Sequence, residues 1–73
     1  MYYVYMLKTE EGTYIGYTSD LKRRFQEHAH RKPELIYYEA YRHELDAQDR
    51  ERMLKHRGQS VRRLKEKIKR SLG

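Results

Sequence analysis

Cysteine and tryptophan are absent from the chain, and phenylalanine occurs once. Without cysteine there are no disulfides and no thiolate metal sites, which fits a reducing, intracellular setting. No apolar run approaches the ~20 residues of a membrane span. The segment Met1-Tyr2-Tyr3-Val4-Tyr5-Met6-Leu7-Lys8 has neither the charged leader nor the long apolar stretch of a signal peptide. These absences lead us to expect a soluble, cytoplasmic protein with no membrane partner. Its 73 residues leave room for one core, and neither repeat, low-complexity tract nor linker interrupts them, so residues 1–73 are expected to fold as a single domain. A chain of this size buries only ~60% of its unfolded surface, so modest stability is expected.

What is present is charge and tyrosine. Lys and Arg number 17 against 11 Asp and Glu, a formal net charge of +6 on a very small body. Such an excess favours polyanionic partners, because neutralised phosphates release their condensed counterions. A well-solvated surface would account for the same numbers. The aromatic content is carried by 8 tyrosines. Tyrosine is an ordinary strand residue, but its phenol also stacks on bases and can exchange a proton.

Residues 2–8 and 13–17 read as strands joined through Thr9-Glu10-Glu11-Gly12, a glycine-ended turn between β-branched and aromatic runs. Thr18 or Ser19 can cap a helix from Asp20 to Ala29, with Asp20 in its first turn. His30-Arg31-Lys32-Pro33 breaks that helix, and the aromatic-rich stretch Glu34 to Arg42 reads as a third strand. A second helix is expected from Glu44 to Arg57, stopped by Gly58 just past its end. A third is expected from Ser60 to Arg70, with Val61, Leu64 and Ile68 as its buried stripe. Its remaining surface carries Arg62, Arg63, Lys65, Lys67, Lys69 and Arg70. The order β-β-α-β-α-α implies an α+β fold, a small three-stranded antiparallel sheet flanked by helices.

Helical spacing sorts the charged residues. On the first helix Leu21 and Phe25 mark the expected buried stripe, with Arg24 and His28 beside it as an i,i+4 pair, while Arg23 points to solvent. An arginine stem covering apolar surface and a satisfied histidine would explain the pair equally simply. On the second helix Ala47 and Leu54 share a face, and Glu51 lies against it. A carboxylate at such an edge needs a cation or a hydrogen-bond donor, and either Arg50 or Lys55 could serve. In the hairpin, pairing Lys8 with Thr13 sets Tyr5 opposite Gly16 and gathers Tyr3, Tyr5, Tyr14 and Gly16 on one face, where the glycine leaves space beside the Tyr5 ring. A one-residue slip would separate the tyrosines, and simple aromatic packing would also explain them.

Taken together, Tyr3-Val4-Tyr5, then Tyr14-Ile15-Gly16, then Thr18-Ser19-Asp20-Leu21-Lys22-Arg23-Arg24-Phe25-Gln26-Glu27-His28 resemble the GIY-YIG nuclease superfamily, more narrowly its small stand-alone bacterial domain proteins. Leu35 to Tyr41 and Asp49 to Lys55 fit the same pattern, so the resemblance spans nearly the whole chain. Tyr-Ile-Gly is weak on its own; followed at fixed spacing by Arg24 and His28, and later by a helical Glu51, it is specific. The resemblance implies the GIY-YIG fold and hydrolysis of phosphodiesters by an endonuclease using a single Mg²⁺ or Mn²⁺, as in the family's homing, restriction and DNA-repair enzymes. It makes Tyr5, Tyr14, Arg24 and His28 the expected catalytic residues, Glu51 the metal ligand and Gly16 a substrate-positioning residue.

Nucleic acid is the expected partner, DNA ahead of RNA, with the phosphate backbone held by Arg62, Lys65 and Lys69. Tyr3 stands where the family's first motif has glycine, the segment Ala29 to Glu34 is short, and the chain has no asparagine although many members place one near the phosphate. The missing asparagine keeps open a catalytically weak nucleic-acid-binding module with the same fold. A subunit directed to its substrate by a partner protein is a third reading.

Overall fold

The hairpin forms where glycine permits the turn. In the computed structural model of the chain, which describes residues 1–73, β1 runs over Tyr2–Thr9 and β2 over Gly12–Thr18. Gly12 takes φ +128°, a region that side chains rarely enter. Thr9 Oγ1 braces the turn, donating to the Gly12 carbonyl at 3.0 Å and accepting the Glu11 N–H at 3.2 Å. The resulting register pairs Lys8 with Thr13 and Tyr5 with Gly16, as the pattern anticipates. By alternation Tyr3, Tyr5, Leu7, Tyr14 and Gly16 face one side, and Val4, Met6, Ile15 and Tyr17 the other.

The third strand, β3 (Glu34–Tyr41), pairs antiparallel with β1 and completes the order β2-β1-β3. Central placement explains why Val4, Tyr5, Met6 and Leu7 are each only 1–2% exposed although their side chains alternate between faces. The β1–β3 register shifts between Met6 and Leu7, where the pairing skips Ile36.

Helices α2 (Glu44–His56) and α3 (Gly58–Lys67) cover the Val4/Met6 face. Ala47, Leu54 and Leu64 join those two residues in the buried cluster, with Val61, Ile68 and Leu72 packed at its rim. His43 caps α2 by accepting the Leu45 N–H at its Nδ1, and Glu44 and Asp46 place negative charge in the electropositive first turn. No helix is long and apolar enough to cross a membrane. The three-stranded sheet, the helices and their order are those expected of the α+β fold.

Four local expectations are corrected. Helix α1 spans Leu21–Glu27, shorter at both ends than anticipated, and its cap is Asp20, whose Oδ1 accepts the Arg23 N–H at 3.0 Å. Thr18 is the buried last residue of β2, and its hydroxyl accepts the Asp20 N–H at 3.0 Å, so it serves the turn before the helix. Leu21 and Phe25 form no buried stripe: α1 has no buried residue, and the two line an open apolar groove with Leu35. Gly58 does not stop α2 as a C′ glycine but begins α3. Arg57 alone separates the helices, its backbone extended at φ −116° and ψ 99°. The third helix ends at Lys67, leaving Lys69 and Arg70 in the following turns.

Arg50 has a partner that local spacing does not reveal. It forks onto Glu39 of β3, with Nε 2.9 Å from Oε1 and Nη2 3.0 Å from Oε2. Tyr37 and Tyr41 donate their hydroxyls to the same carboxylate. Burial by itself would raise the Glu39 pKa, but the bonds from Arg50 and the two phenols outweigh it and hold it below the usual range. Both phenols are pushed up to about 12, first by burial and then by their bonds to that carboxylate. This network ties α2 to β3 and occupies Arg50, leaving Lys55 as the cation beside Glu51.

Candidate active site

Tyr5 is the point on which the other groups converge. It sits in the central strand, 2% exposed, with its hydroxyl pressed against Gly16 of β2. Arg24 Nε donates to that hydroxyl at 3.2 Å, and His28 Nε2 lies 3.5 Å away, the outer limit of a hydrogen bond. Arg24 lies on α1 and His28 caps its C-terminus one turn later, so one helix edge delivers both. The Tyr14 ring packs 4.8 Å from the His28 ring and 6.3 Å from the Tyr5 ring, between centroids.

Burial is the largest influence on the Tyr5 pKa and raises it, with Arg24 opposing through its hydrogen bond and charge. Removing the phenol from water thus outweighs one guanidinium. His28 shifts the other way: burial first, then the charges of Arg24 and Arg31, lower its pKa, so the ring is neutral at pH 7. With the ring proton on Nδ1, Nε2 can accept from the Tyr5 hydroxyl. Arg24 Nη1 pairs with Glu27 at 3.1 Å, while the arginine side chain stays 41% exposed. Its guanidinium is thus fixed on the Tyr5 and Glu27 sides and open to an anion elsewhere.

Glu51 approaches the cluster from α2, the helix on the other face of the sheet. It projects from α2, on the flank that also sends Gln48 to the Tyr17 hydroxyl at 2.9 Å, along the β2 edge. Lys55 Nζ lies 3.5 Å from Glu51 Oε2 and 5.8 Å from the centroid of the Tyr14 ring, so one lysine links the carboxylate to the tyrosine cluster. The charge of Glu51 is also among the smaller influences raising the Tyr5 pKa. Tyr5, Tyr14, Arg24 and His28 thus touch directly, with Glu51 joined through Lys55. Spacing named Lys55 only as a possible partner for Glu51; its position over Tyr14 needs the folded sheet. Glu27 joins the site without being marked by any motif, its only signal in the sequence being the i,i+3 separation from Arg24.

Arg62 and Lys65 of α3, and Lys69 in the turns after it, are not part of this cluster. The Val61–Leu64–Ile68 stripe packs on the Val4/Met6 side, so Arg62, Lys65 and Lys69 lie beyond the opposite face of the sheet from Tyr5.

For a divalent ion the donor set is sparse, with no group of three or more His, Asp and Glu side chains converging. A single carboxylate with a side chain 22% exposed suits a hard ion that keeps most of its waters, so Glu51 fits one Mg²⁺ or Mn²⁺.

Gly16 admits a direct test. A Cβ there would lie 2.5 Å from the Tyr5 hydroxyl oxygen and 2.7 Å from Cζ. The Tyr5 ring is too enclosed to step aside cheaply. Gly16→Ala should therefore lower stability by about 1–3 kcal/mol, read as a fall in Tm. Combining it with Tyr5→Phe removes the nearer atom and should recover part of the loss. A Gly16→Ala protein melting like the wild type would show that the ring is free to move.

No curated protein and no solved structure matches the chain. A family model described as GIY-YIG catalytic domain matches residues 1–66, nearly the full length. The chain belongs to the GIY-YIG family of catalytic domains, whose activity is nuclease cleavage of phosphodiester bonds in nucleic acid.

Proposed function

We propose that this domain is an endonuclease that hydrolyses phosphodiesters of DNA, at the cluster around Tyr5 and with one Mg²⁺ or Mn²⁺ on Glu51. The observation that carries this reading is the bond from Arg24 Nε to the buried Tyr5 hydroxyl beside a neutral His28. It leaves a partly exposed guanidinium beside a proton-transfer pair.

Arg24 offers its open N–H groups to the scissile phosphate and stabilises charge developing there. When bound at Glu51, a divalent ion supplies Lewis-acid stabilisation of the non-bridging and leaving oxygens. Tyr5 holds its proton at neutral pH, so it acts as a relay: the hydroxyl takes the proton of the attacking water as it passes its own to His28 Nε2. Tyr14 orients the water or the phosphate, and Gly16 keeps the space that the Tyr5 hydroxyl needs. Lys55 Nζ, 3.5 Å from Oε2, balances the charge of Glu51, the carboxylate that would hold the ion.

A second reading, a weakly catalytic nucleic-acid-binding module, is favoured by the Glu51–Lys55 pair and by the absence of asparagine. Single-stranded, duplex and branched DNA incubated with Mg²⁺, Mn²⁺ or EDTA separate the two. Metal-dependent products support the endonuclease, and binding without products supports the module. A stable heteromer on sizing of cell extract would add a partner protein that supplies targeting.

The basic residues beyond the other face make a separate prediction. If Arg62, Lys65 and Lys69 hold the phosphate backbone, replacing all three by alanine should weaken binding equally for all sequences. The dependence of log affinity on log salt should become shallower by up to ~0.9 per lost phosphate contact on duplex. An unchanged slope would show that the nucleic acid stays on the Tyr5 side.

A further inference from the structure

One aromatic residue beside the cluster is left uncovered. Tyr38 stands directly across from Tyr5 on β3 and is 53% exposed. Alternation places Tyr3, Tyr5, Tyr38 and Ala40 on the same face of the sheet. The Tyr3 ring meets Tyr38 in a T-shaped contact, with centroids 6.0 Å apart and planes 66° apart. The cross-strand partner of Tyr3 is Ala40, itself exposed and too small to cover either ring. Other tyrosines of the chain are committed: Tyr17 bonds to Gln48, and Tyr37 and Tyr41 to Glu39. Tyr38 instead presents its ring to solvent one strand spacing, ~4.8 Å, from the strand that carries Tyr5.

We propose that Tyr38, braced by Tyr3, is a stacking platform for one unpaired nucleobase beside the phosphate that Arg24 engages. Three observations select this occupant. An exposed aromatic ring gains most from a flat π-surface, and stacking tolerates any base. The net charge of +6 draws a polyanion to the domain, and the partly exposed guanidinium of Arg24 lies beside Tyr5 on the same face. The edge contact from Tyr3 fixes the Tyr38 ring before a base arrives, so little freedom is lost on stacking.

Bases in an intact duplex are already stacked on both sides, so the platform selects nucleic acid with unpaired bases: single strands, flaps or branches. This inference rests on the proposed function for the place of the scissile phosphate and deepens it by naming a substrate class.

The test uses the full chain in EDTA and a short single-stranded oligonucleotide carrying 2-aminopurine, against a blunt duplex of the same sequence. Tyr38→Ala should weaken single-strand binding by ~5- to 150-fold and abolish the stacking quench of the fluorophore, with little effect on duplex affinity. Tyr38→Phe should keep both. Thermal melts should match the wild type, since the side chain is exposed. Equal losses on single strand and duplex, or a phenylalanine variant as weak as the alanine one, would overturn the platform. So would concentration-dependent self-association that Tyr38→Ala removes, because the face would then be covered by a second copy.

Failure of the two readings is distinguishable. A wild type that shows the Tyr38-dependent quench but cuts nothing with Mg²⁺ keeps the platform and loses the nuclease. One that cuts, while Tyr38→Ala changes neither affinity nor quench, loses the platform alone. A wild type that binds no oligonucleotide overturns both.

Discussion

Glu51→Gln should abolish Mg²⁺-dependent cleavage while leaving the fold and metal-free nucleic-acid binding in place. Two roles for this carboxylate predict different outcomes. As a purely structural partner of Lys55 it contributes an i,i+4 ion pair at 3.5 Å to a lysine side chain 41% exposed. Such pairs are worth ~0–1 kcal/mol, so the substitution would shift Tm slightly and leave any cleavage untouched. As the metal ligand, it is a partly desolvated charge whose worth appears only when an ion is bound. Glutamine keeps its shape and hydrogen-bonding capacity but removes the anionic oxygen that a hard ion requires. Stability should then hold or rise and affinity in EDTA should persist, while cleavage vanishes. Thermal melts, an affinity measurement without metal and a cleavage assay on both proteins decide it. A variant cutting at the wild-type rate with Mg²⁺ would remove Glu51 from the metal site.

Tyr5→Phe should lower turnover by ~10²–10⁴-fold with binding nearly unchanged, because it deletes one oxygen and keeps the buried ring. That oxygen accepts from Arg24 and faces His28, so its loss breaks the route from water to imidazole. Arg24 retains Glu27 and access to water, which limits any effect on stability. The pH profile distinguishes relay from direct base. With burial raising the Tyr5 pKa and lowering that of His28, a relay ending on His28 should gain rate as pH rises through the lowered histidine value, then level off through neutrality. A phenolate acting alone would keep gaining rate into strongly alkaline solution. Undiminished turnover in Tyr5→Phe would reduce Tyr5 to a packing residue.

Much of this site was legible before folding because its parts are local. Gly12 ends a short turn, that turn sets the Tyr5–Gly16 register, and period-two alternation then gathers the tyrosines. The separation of Arg24 from His28, and of Glu51 from Lys55, is one helical turn in each case. Cap positions were less legible. Thr18, Ser19 and Asp20 can all cap a helix, and only the burial of Thr18 at the end of β2 leaves the role to Asp20. Gly58 suits a helix end by composition, yet α3 starts there because its apolar stripe must lie against Val4 and Met6.

By itself the sequence determined the order of elements, the hairpin register and the residue types of the cluster, since these follow from turn chemistry and from periods of 2 and 3.6 residues. Tertiary structure alone decided the partners that cross between elements. Arg50 turns to Glu39, 11 residues away on β3, because α2 lies across the sheet. Lys55 comes to rest over Tyr14 at the β2 edge, and the basic residues of α3 end up across the sheet from Tyr5. The acidity of Tyr5 belongs to the same class: spacing shows a nearby arginine, but how far burial outweighs it depends on how completely the sheet and α1 remove the phenol from water.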